Sequence, residues 1–191
     1  MRYDKGHKDT SRRRILNVAS ERFRSDGIAA SGLATIMSDA GLTNGAFYPH
    51  FKSKADLVRE SVAAAMDDQC NLLRELLASG GLEAVLDTYL SVEHRDNPQT
   101  GCTWAALSPE LARQSPETRT VYMERLLKTV REMAAAEPAD AADREAVILG
   151  VYATLIGTLQ LARAVNGTPL SDRILSAGGD AARRLLGIAT A

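Results

Sequence analysis

Residues 41–54 read Gly-Leu-Thr-Asn-Gly-Ala-Phe-Tyr-Pro-His-Phe-Lys-Ser-Lys, and this run constrains the rest of the chain more than any other. Gly41 supplies a turn after one short apolar helix. Thr43 is placed to cap a second by accepting from backbone N–H groups two or three residues on. His50, Phe51 and the Ser53 cap of the next helix close that second helix within two turns. Two short helices across a glycine turn make the pattern of a helix-turn-helix, whose second helix meets base edges in the DNA major groove.

The flanking sequence fits that pattern. Residues 1–10 read as a polar, mobile arm carrying Lys5, His7 and Lys8. A first helix over 11–25 places Ile15, Val18, Ala19 and Phe23 on one stripe. Arg12, Arg13 and Arg14 spread around its other side, either as a solvated helix start or as a phosphate clamp. Gly27 suits the left-handed position that ends a helix. A second helix over 33–40 has Leu33, Ile36, Met37 and Ala40 as its apolar face, and Leu42 plugs between helices. Phe47 and Phe51, four apart, bury on one face of the third. Thr43, Asn44, Ala46, Tyr48 and His50 are left for the other faces.

Charge supports the division. The chain has 191 residues and net charge −1, but residues 1–60 carry eleven Lys/Arg against seven Asp/Glu, whereas 61–191 carry twelve against seventeen. A basic head on an acidic body fits a nucleic-acid-binding segment followed by something else.

Residues 11–60 resemble the DNA-binding domain of the tetracycline-repressor (TetR) family of bacterial transcription regulators. The matching residues are Phe23, Gly27, Ile36, Ala40-Gly41-Leu42, Thr43-Asn44-Gly45 and Tyr48-Pro49-His50-Phe51-Lys52-Ser53-Lys54, with Leu57 beyond. The resemblance implies an all-α fold of about nine helices: a three-helix helix-turn-helix domain at 1–53 and a helical ligand-binding and dimerisation domain at 54–191. It implies DNA contacts from Ser31, Thr43, Asn44, Gly45, Ala46, Tyr48, His50 and Lys54. Within that set, Thr43 caps the recognition helix and touches a phosphate, Asn44 and Ala46 face bases, Tyr48 and Lys54 bind phosphates, and Ser31 caps the second helix onto the backbone. Gly32 stands where the family often has a hydroxyl, which leaves that contact to Ser31. Pro49 removes an N–H and ends the third helix early, so no base contact is expected beyond Tyr48. The chemistry agrees with these roles. Hydroxyls at a helix start fix register on the phosphates. An asparagine reads adenine through two hydrogen bonds worth about 1–3 kcal/mol of discrimination, and Ala46 can meet a thymine methyl. His50 has a rival role as a half-buried histidine holding the helix junction.

From Ser53 the periodicity predicts a long helix to Ser79, stopped by Gly80-Gly81, then helices over 82–95, 116–136, 143–165 and 169–186. Pro109 sits in the apolar segment 103–111 as a kink or a restart, and Pro138 and Asp140 mark another break. Residues 146–162 hold no charge and read as a buried core or interface helix rather than a membrane span. Gly150 and Gly157, with a stripe of Ile174, Gly178, Ala181, Leu185 and Ile188, predict a homodimer in which the last two helices of each copy form a four-helix bundle. Such pairing sets two heads ~34–36 Å apart on a palindromic double-stranded operator.

The body is expected to hold a small-molecule effector. Trp104, Leu107, Tyr122, Met123, Tyr152 and Gln160 are candidate walls, with plain core as the alternative. Cys102, just after Gly101 at a helix start, admits an electrophile- or redox-sensing role against that of a buried thiol. Other classes are disfavoured. Cys70 and Cys102 have no metal or redox spacing, and the three histidines at 7, 50 and 94 make no ligand set. No phosphate-cradling glycine loop or serine elbow is present. No enzyme, catalytic residue, metal or cofactor is therefore expected. No apolar leader stands at the N-terminus, and the cytoplasm is the expected compartment. A ligand-independent DNA binder is the remaining alternative.

Overall fold

The computed structural model describes residues 5–136 and 141–188. Among them are eight α-helices, one 3-10 turn and no strand. The helices are α1 (Lys5–Asp26), α2 (Leu33–Asp39), α3 (Lys54–Tyr89), α4 (Val92–Asp96), α5 (Thr103–Leu111), α6 (Pro116–Ala135), α7 (Ala141–Ala164) and α8 (Pro169–Leu186), with the 3-10 turn at Asn44–Ala46 between α2 and α3.

α1 starts earlier than its apolar stripe suggested, so residues 5–10 are helical rather than an arm, while 1–4 lie outside the described residues. Ile15, Ala19 and Phe23, four apart, are fully buried. α2 ends in a Schellman arrangement: Leu42 N–H bonds to Met37 C=O and Gly41 N–H to Ser38 C=O, with Gly41 at φ +67°. The left-handed residue turns the chain sharply, and the two bonds satisfy carbonyls that the helix end would orphan.

α3 begins with a modified capping box. Ser53 Oγ accepts from Asp56 N–H at 3.1 Å, and the Asp56 carboxylate reaches back to Lys52 N–H at 3.1 Å. Asp56 is held below the usual carboxylate range chiefly by that backbone bond. The stop expected at Gly80-Gly81 is a break in direction, with Gly81 at φ +65°, and helical bonding resumes to Tyr89. The helix expected over 82–95 is divided in two. Its backbone breaks at Leu90-Ser91, Ser91 Oγ caps α4 by accepting from His94 N–H, and the Tyr89 carbonyl receives His94 Nδ1–H at 2.6 Å.

Pro109 lies within α5 without ending it. It cannot donate to the carbonyl four residues back. That carbonyl, Ala105 C=O, instead accepts from the Gln160 side chain at 2.9 Å. Gln160 is thus a splint for α5 and not a cavity wall. The break expected at Pro138 and Asp140 lies outside the described residues.

α7 is apolar enough over Arg144–Ala164 to match the length of a membrane span. Ile148, Val151, Leu155, Leu159 and Ala162 are nevertheless fully buried among the neighbouring helices. Gly178 of α8 is buried, and a Cβ there would collide with the Thr158 side chain of α7. Its small size therefore serves packing within the chain, which corrects its assignment to the dimer stripe. Gly150, by contrast, is exposed with open space where a Cβ would sit.

Candidate nucleic-acid interface and ligand cavity

The third helix of the head is shorter than two turns. Ala46 N–H bonds to Thr43 C=O and Phe47 N–H to Asn44 C=O, both in 3-10 fashion, and a turn through Pro49 follows. Phe47 and Phe51 fix this segment, 2% and 1% exposed with ring centroids 5.6 Å apart. The neighbouring positions then point outward. Thr43, Asn44 and Gly45 are exposed, and Tyr48 is 72% exposed with its ring edge-on to Phe47. Ala46 is half-buried against the core, and Lys54 is half-buried at the first position of α3.

Three expectations change here. Thr43 stands at the cap position but makes no side-chain capping bond, which leaves its hydroxyl available. Ser31 is buried at 4% exposure, and its hydroxyl donates toward Gly27 C=O at 2.7 Å and Arg22 C=O at 3.2 Å. It braces the α1–α2 turn and is not presented for a phosphate. Gly32, the actual cap of α2, is exposed in its place. His50 is half-buried with Nδ1 shielded and unpartnered, and burial with the charges of Lys8 and Arg12 lowers its pKa. A neutral ring at the junction of the turn and α3 follows from those surroundings.

The arginine run splits its work. Arg12 pairs with Glu60 and lies 4.9 Å over the Phe51 ring. Arg14 donates to Ala40 C=O at the end of α2, and Arg13 stays exposed. Lys52 is also exposed beside the turn, and the sequence reading passed over it in favour of Lys54. Its place between a buried Phe51 and the Ser53 cap was the available signal.

In the body, a cavity of about 480 Å³ opens between α3, α4, α5, α6 and α7, within the size range of small-molecule sites. Cys102, Trp104 and Tyr152 line it. The other sequence candidates do not: Leu107 is core, Met123 is 52% exposed, Gln160 splints α5, and Tyr122 stacks behind Trp104 with its hydroxyl bonded to Ser108 at 2.7 Å. Burial pushes the Tyr122 phenol up to about 12. The sequence reading missed Tyr89, His94, Gln69 and the apolar walls Met66, Leu73, Val85 and Met133. These lie on three separate helices, and helical periodicity does not distinguish a cavity wall from core.

His94 organises the rim. Its Nε2 accepts from Cys102 N–H at 2.9 Å while Nδ1–H donates to Tyr89 C=O. Both bonds require the neutral ring, and burial lowers its pKa accordingly. Cys102 Sγ lies 3.7 Å from the Tyr152 hydroxyl. The loop from Asn97 to Cys102 is shared with the head: Arg24 of α1 donates to Gln99 C=O at 2.7 Å. One helix further on, the Glu110 carboxylate accepts Ala29 N–H at 3.0 Å and covers Gly27.

Comparison with known proteins bears on both parts. Residues 15–61 match the profile of bacterial regulatory proteins of the tetR family. The HTH-type transcriptional repressor KstR2 of Rhodococcus jostii is 27% identical over 131 residues, covering 68% of this chain and 64% of that protein. The regulator AcrR of Shigella flexneri is 44% identical over 50 residues, 26% of this chain and 23% of its own length. The chain thus spans less than two thirds of the length of either relative. A TetR-family regulator from Cytophaga hutchinsonii superposes with a TM-score of 0.78 at 17% identity, covering 98% of this chain and 99% of that one, a likeness of fold. A matching head, a repressor aligned well into the body and a shared whole-chain fold point one way: residues 15–61 match the tetR family of bacterial regulatory proteins, and the chain as a whole has the fold of a solved regulator of that family.

Proposed function

We propose that the chain is a homodimeric transcriptional repressor of the cytoplasm that grips a palindromic operator and lets go when a small molecule fills the body cavity. The observation that carries this reading is the 43–48 turn. It is anchored by two buried phenylalanines and presents Thr43, Asn44, Gly45 and Tyr48 to solvent beside exposed Lys52. Thr43 and Tyr48 supply phosphate contacts that set register, and Asn44 supplies base readout. Lys54 adds charge at the start of α3.

Pairing through α7 and α8 is supported by a stripe of small or apolar exposed residues on α7: Ala146, Gly150, Ala153, Leu161 and Ala164. Their separations of four, three, eight and three residues keep them on one face of the helix. Release is supported by the Asn97–Cys102 loop, which walls the cavity on one side and is held by Arg24 of the head on the other. No catalytic role is assigned to any residue.

The test is a mobility-shift titration of the purified chain against DNA from its own upstream region, with sedimentation to establish the dimer. Affinity falls steeply with salt if phosphate contacts dominate. Tyr48→Phe weakens binding on all sequences, whereas Asn44→Ala relaxes sequence preference by about 1–3 kcal/mol. A monomer, or equal affinity for upstream and random DNA at low salt, defeats the reading.

A further inference from the structure

Residues 44 and 45 form an exposed Asn-Gly pair in the 43–48 turn, and the chain has a second such pair at 166–167. The pair is chemically reactive where the glycine nitrogen is free to reach the asparagine amide carbon, because no β-carbon stands in the way and glycine adopts the backbone angles needed. The two pairs differ in that freedom. Asn166 Nδ2–H donates to Asp96 Oδ1 at 3.0 Å, and Gly167 N–H donates to Asn166 Oδ1 at 2.8 Å. The side chain there is tethered, and the nitrogen that would attack has its proton held.

Asn44 and Gly45 carry neither restraint. Among the described residues the Asn44 side chain has no hydrogen-bond partner, and Gly45 N–H donates to no group. The free N–H follows from Thr43, whose hydroxyl stands at the cap position without accepting from the turn. Two 3-10 bonds close the segment, Ala46 N–H to Thr43 C=O and Phe47 N–H to Asn44 C=O. A turn this short, lying in solvent, opens locally at little cost. The fold itself does not call for glycine at this position. Gly45 is not at positive φ, and a Cβ on it would meet nothing within 4 Å.

We propose that Asn44-Gly45 is a self-modifying site that limits how long a DNA-free copy of the chain remains able to bind its operator. The Gly45 nitrogen gives its proton to solvent base and attacks Asn44 Cγ. The new C–N bond closes a cyclic succinimide as the side-chain nitrogen takes a proton from water and leaves as ammonia. Water then adds to either ring carbonyl and opens it, which leaves aspartate or isoaspartate at position 44. No electron is transferred, and water is the only co-reactant. The amide that pairs with adenine is replaced by a carboxylate facing a row of phosphates, and isoaspartate also lengthens the backbone of the turn. On DNA the turn is held against the duplex and does not open to the attack geometry, so the reaction falls on unbound protein. The inference rests on the proposed role of Asn44 in base readout.

The full chain is aged in mildly alkaline buffer, with and without saturating DNA from its own upstream region, then digested and mapped by mass and by isoaspartate-specific methylation. The expected result is aspartate and isoaspartate at position 44 well ahead of position 166, forming faster as pH rises. Conversion at 44 is several-fold slower on DNA and several-fold slower in Gly45→Ala. Gly45→Ala keeps its helical circular dichroism, since the added methyl has room. Asn44→Asp carries one product directly and binds the upstream DNA roughly tenfold or more weaker than wild type. It also binds more weakly than Asn44→Ala, because the carboxylate repels phosphate. Conversion at 166 before 44, equal rates in Gly45→Ala and wild type, equal rates with and without DNA, or wild-type affinity in Asn44→Asp overturns the proposal. The mass map of the DNA-free chain stands without any binding measurement, and DNA binding by the freshly purified chain decides the repressor reading separately.

Discussion

The head and the body are both helical layers, but they hold their functional residues in different ways. In the head, Phe47 and Phe51 anchor a turn whose solvent-facing residues lie among them, so scaffold and site share one short run of sequence. In the body, the cavity wall is gathered from Met66 to Tyr152, and its groups are positioned by partners far along the chain. Arg24 reaches Gln99, Gln160 reaches Ala105, and Arg163 reaches His94. The head is a local device, and the body is a network that exists only when folded.

That contrast makes graded expectations. The largest effect belongs to the head anchor: Phe51→Ala removes a fully buried ring and costs about 3–5 kcal/mol. If the head is a local device, calorimetry shows an early transition there while Trp104 emission, reporting the body, melts later. A single transition would merge the two regions. Next, Gly178→Ala forces a methyl against Thr158 and costs about 1–3 kcal/mol. Denaturant melts read at Trp104 register it, and an unchanged midpoint shows that α7 and α8 can slide apart cheaply. Smaller is the connection itself. Arg24→Ala removes the bond to Gln99 C=O at a cost of roughly 1 kcal/mol. It leaves the affinity of the cavity for a ligand intact while weakening the effect of that ligand on DNA binding. Equal ligand-driven release in the variant and wild type excludes this bond as the link.

The pH dependence gives the smallest and most specific effect. His94 has a folded pKa below its ordinary value of 6.5, so the unfolded chain binds the extra proton first. Its contribution is complete above that value and is lost as pH falls through the lowered folded value. Between about pH 7 and 5 the melting temperature declines, and His94→Gln flattens the decline. His50 shifts in the same direction and leaves a residual slope. Asp56 and Asp96 lose their contributions only at lower pH, below the ordinary carboxylate value of 3.8. A profile unchanged by His94→Gln removes the ring as a titrating strut.

Much of the head was legible because its determinants are close together. Gly41 and Leu42 signalled the Schellman turn, Ser53 and Asp56 the start of α3, and the Phe47–Phe51 spacing the buried face. The errors there concern direction. Ser31 carried the right functional group, but its rotamer turns the hydroxyl inward to two carbonyls. Arg12, open to either a solvated or a phosphate-clamping role, is paired to Glu60. In the body the helices were legible and the cavity was not. Cys102, Trp104 and Tyr152 lie on its wall, while Leu107, Tyr122, Met123 and Gln160 do not.

The sequence by itself determined where helices start, stop and hide an apolar face, since caps, glycine turns and the 3.6-residue period act over a few residues. It also determined the outward chemistry of the 43–48 turn, because its two anchors leave little choice of facing. Only the tertiary structure decided that Gly178 serves α7 in the same chain, that Gln160 completes a proline-broken bond, and that His94 bridges Tyr89 C=O and Cys102 N–H. Each of these depends on which group a buried polar atom or a missing side chain meets, and that is settled by packing between segments tens of residues apart.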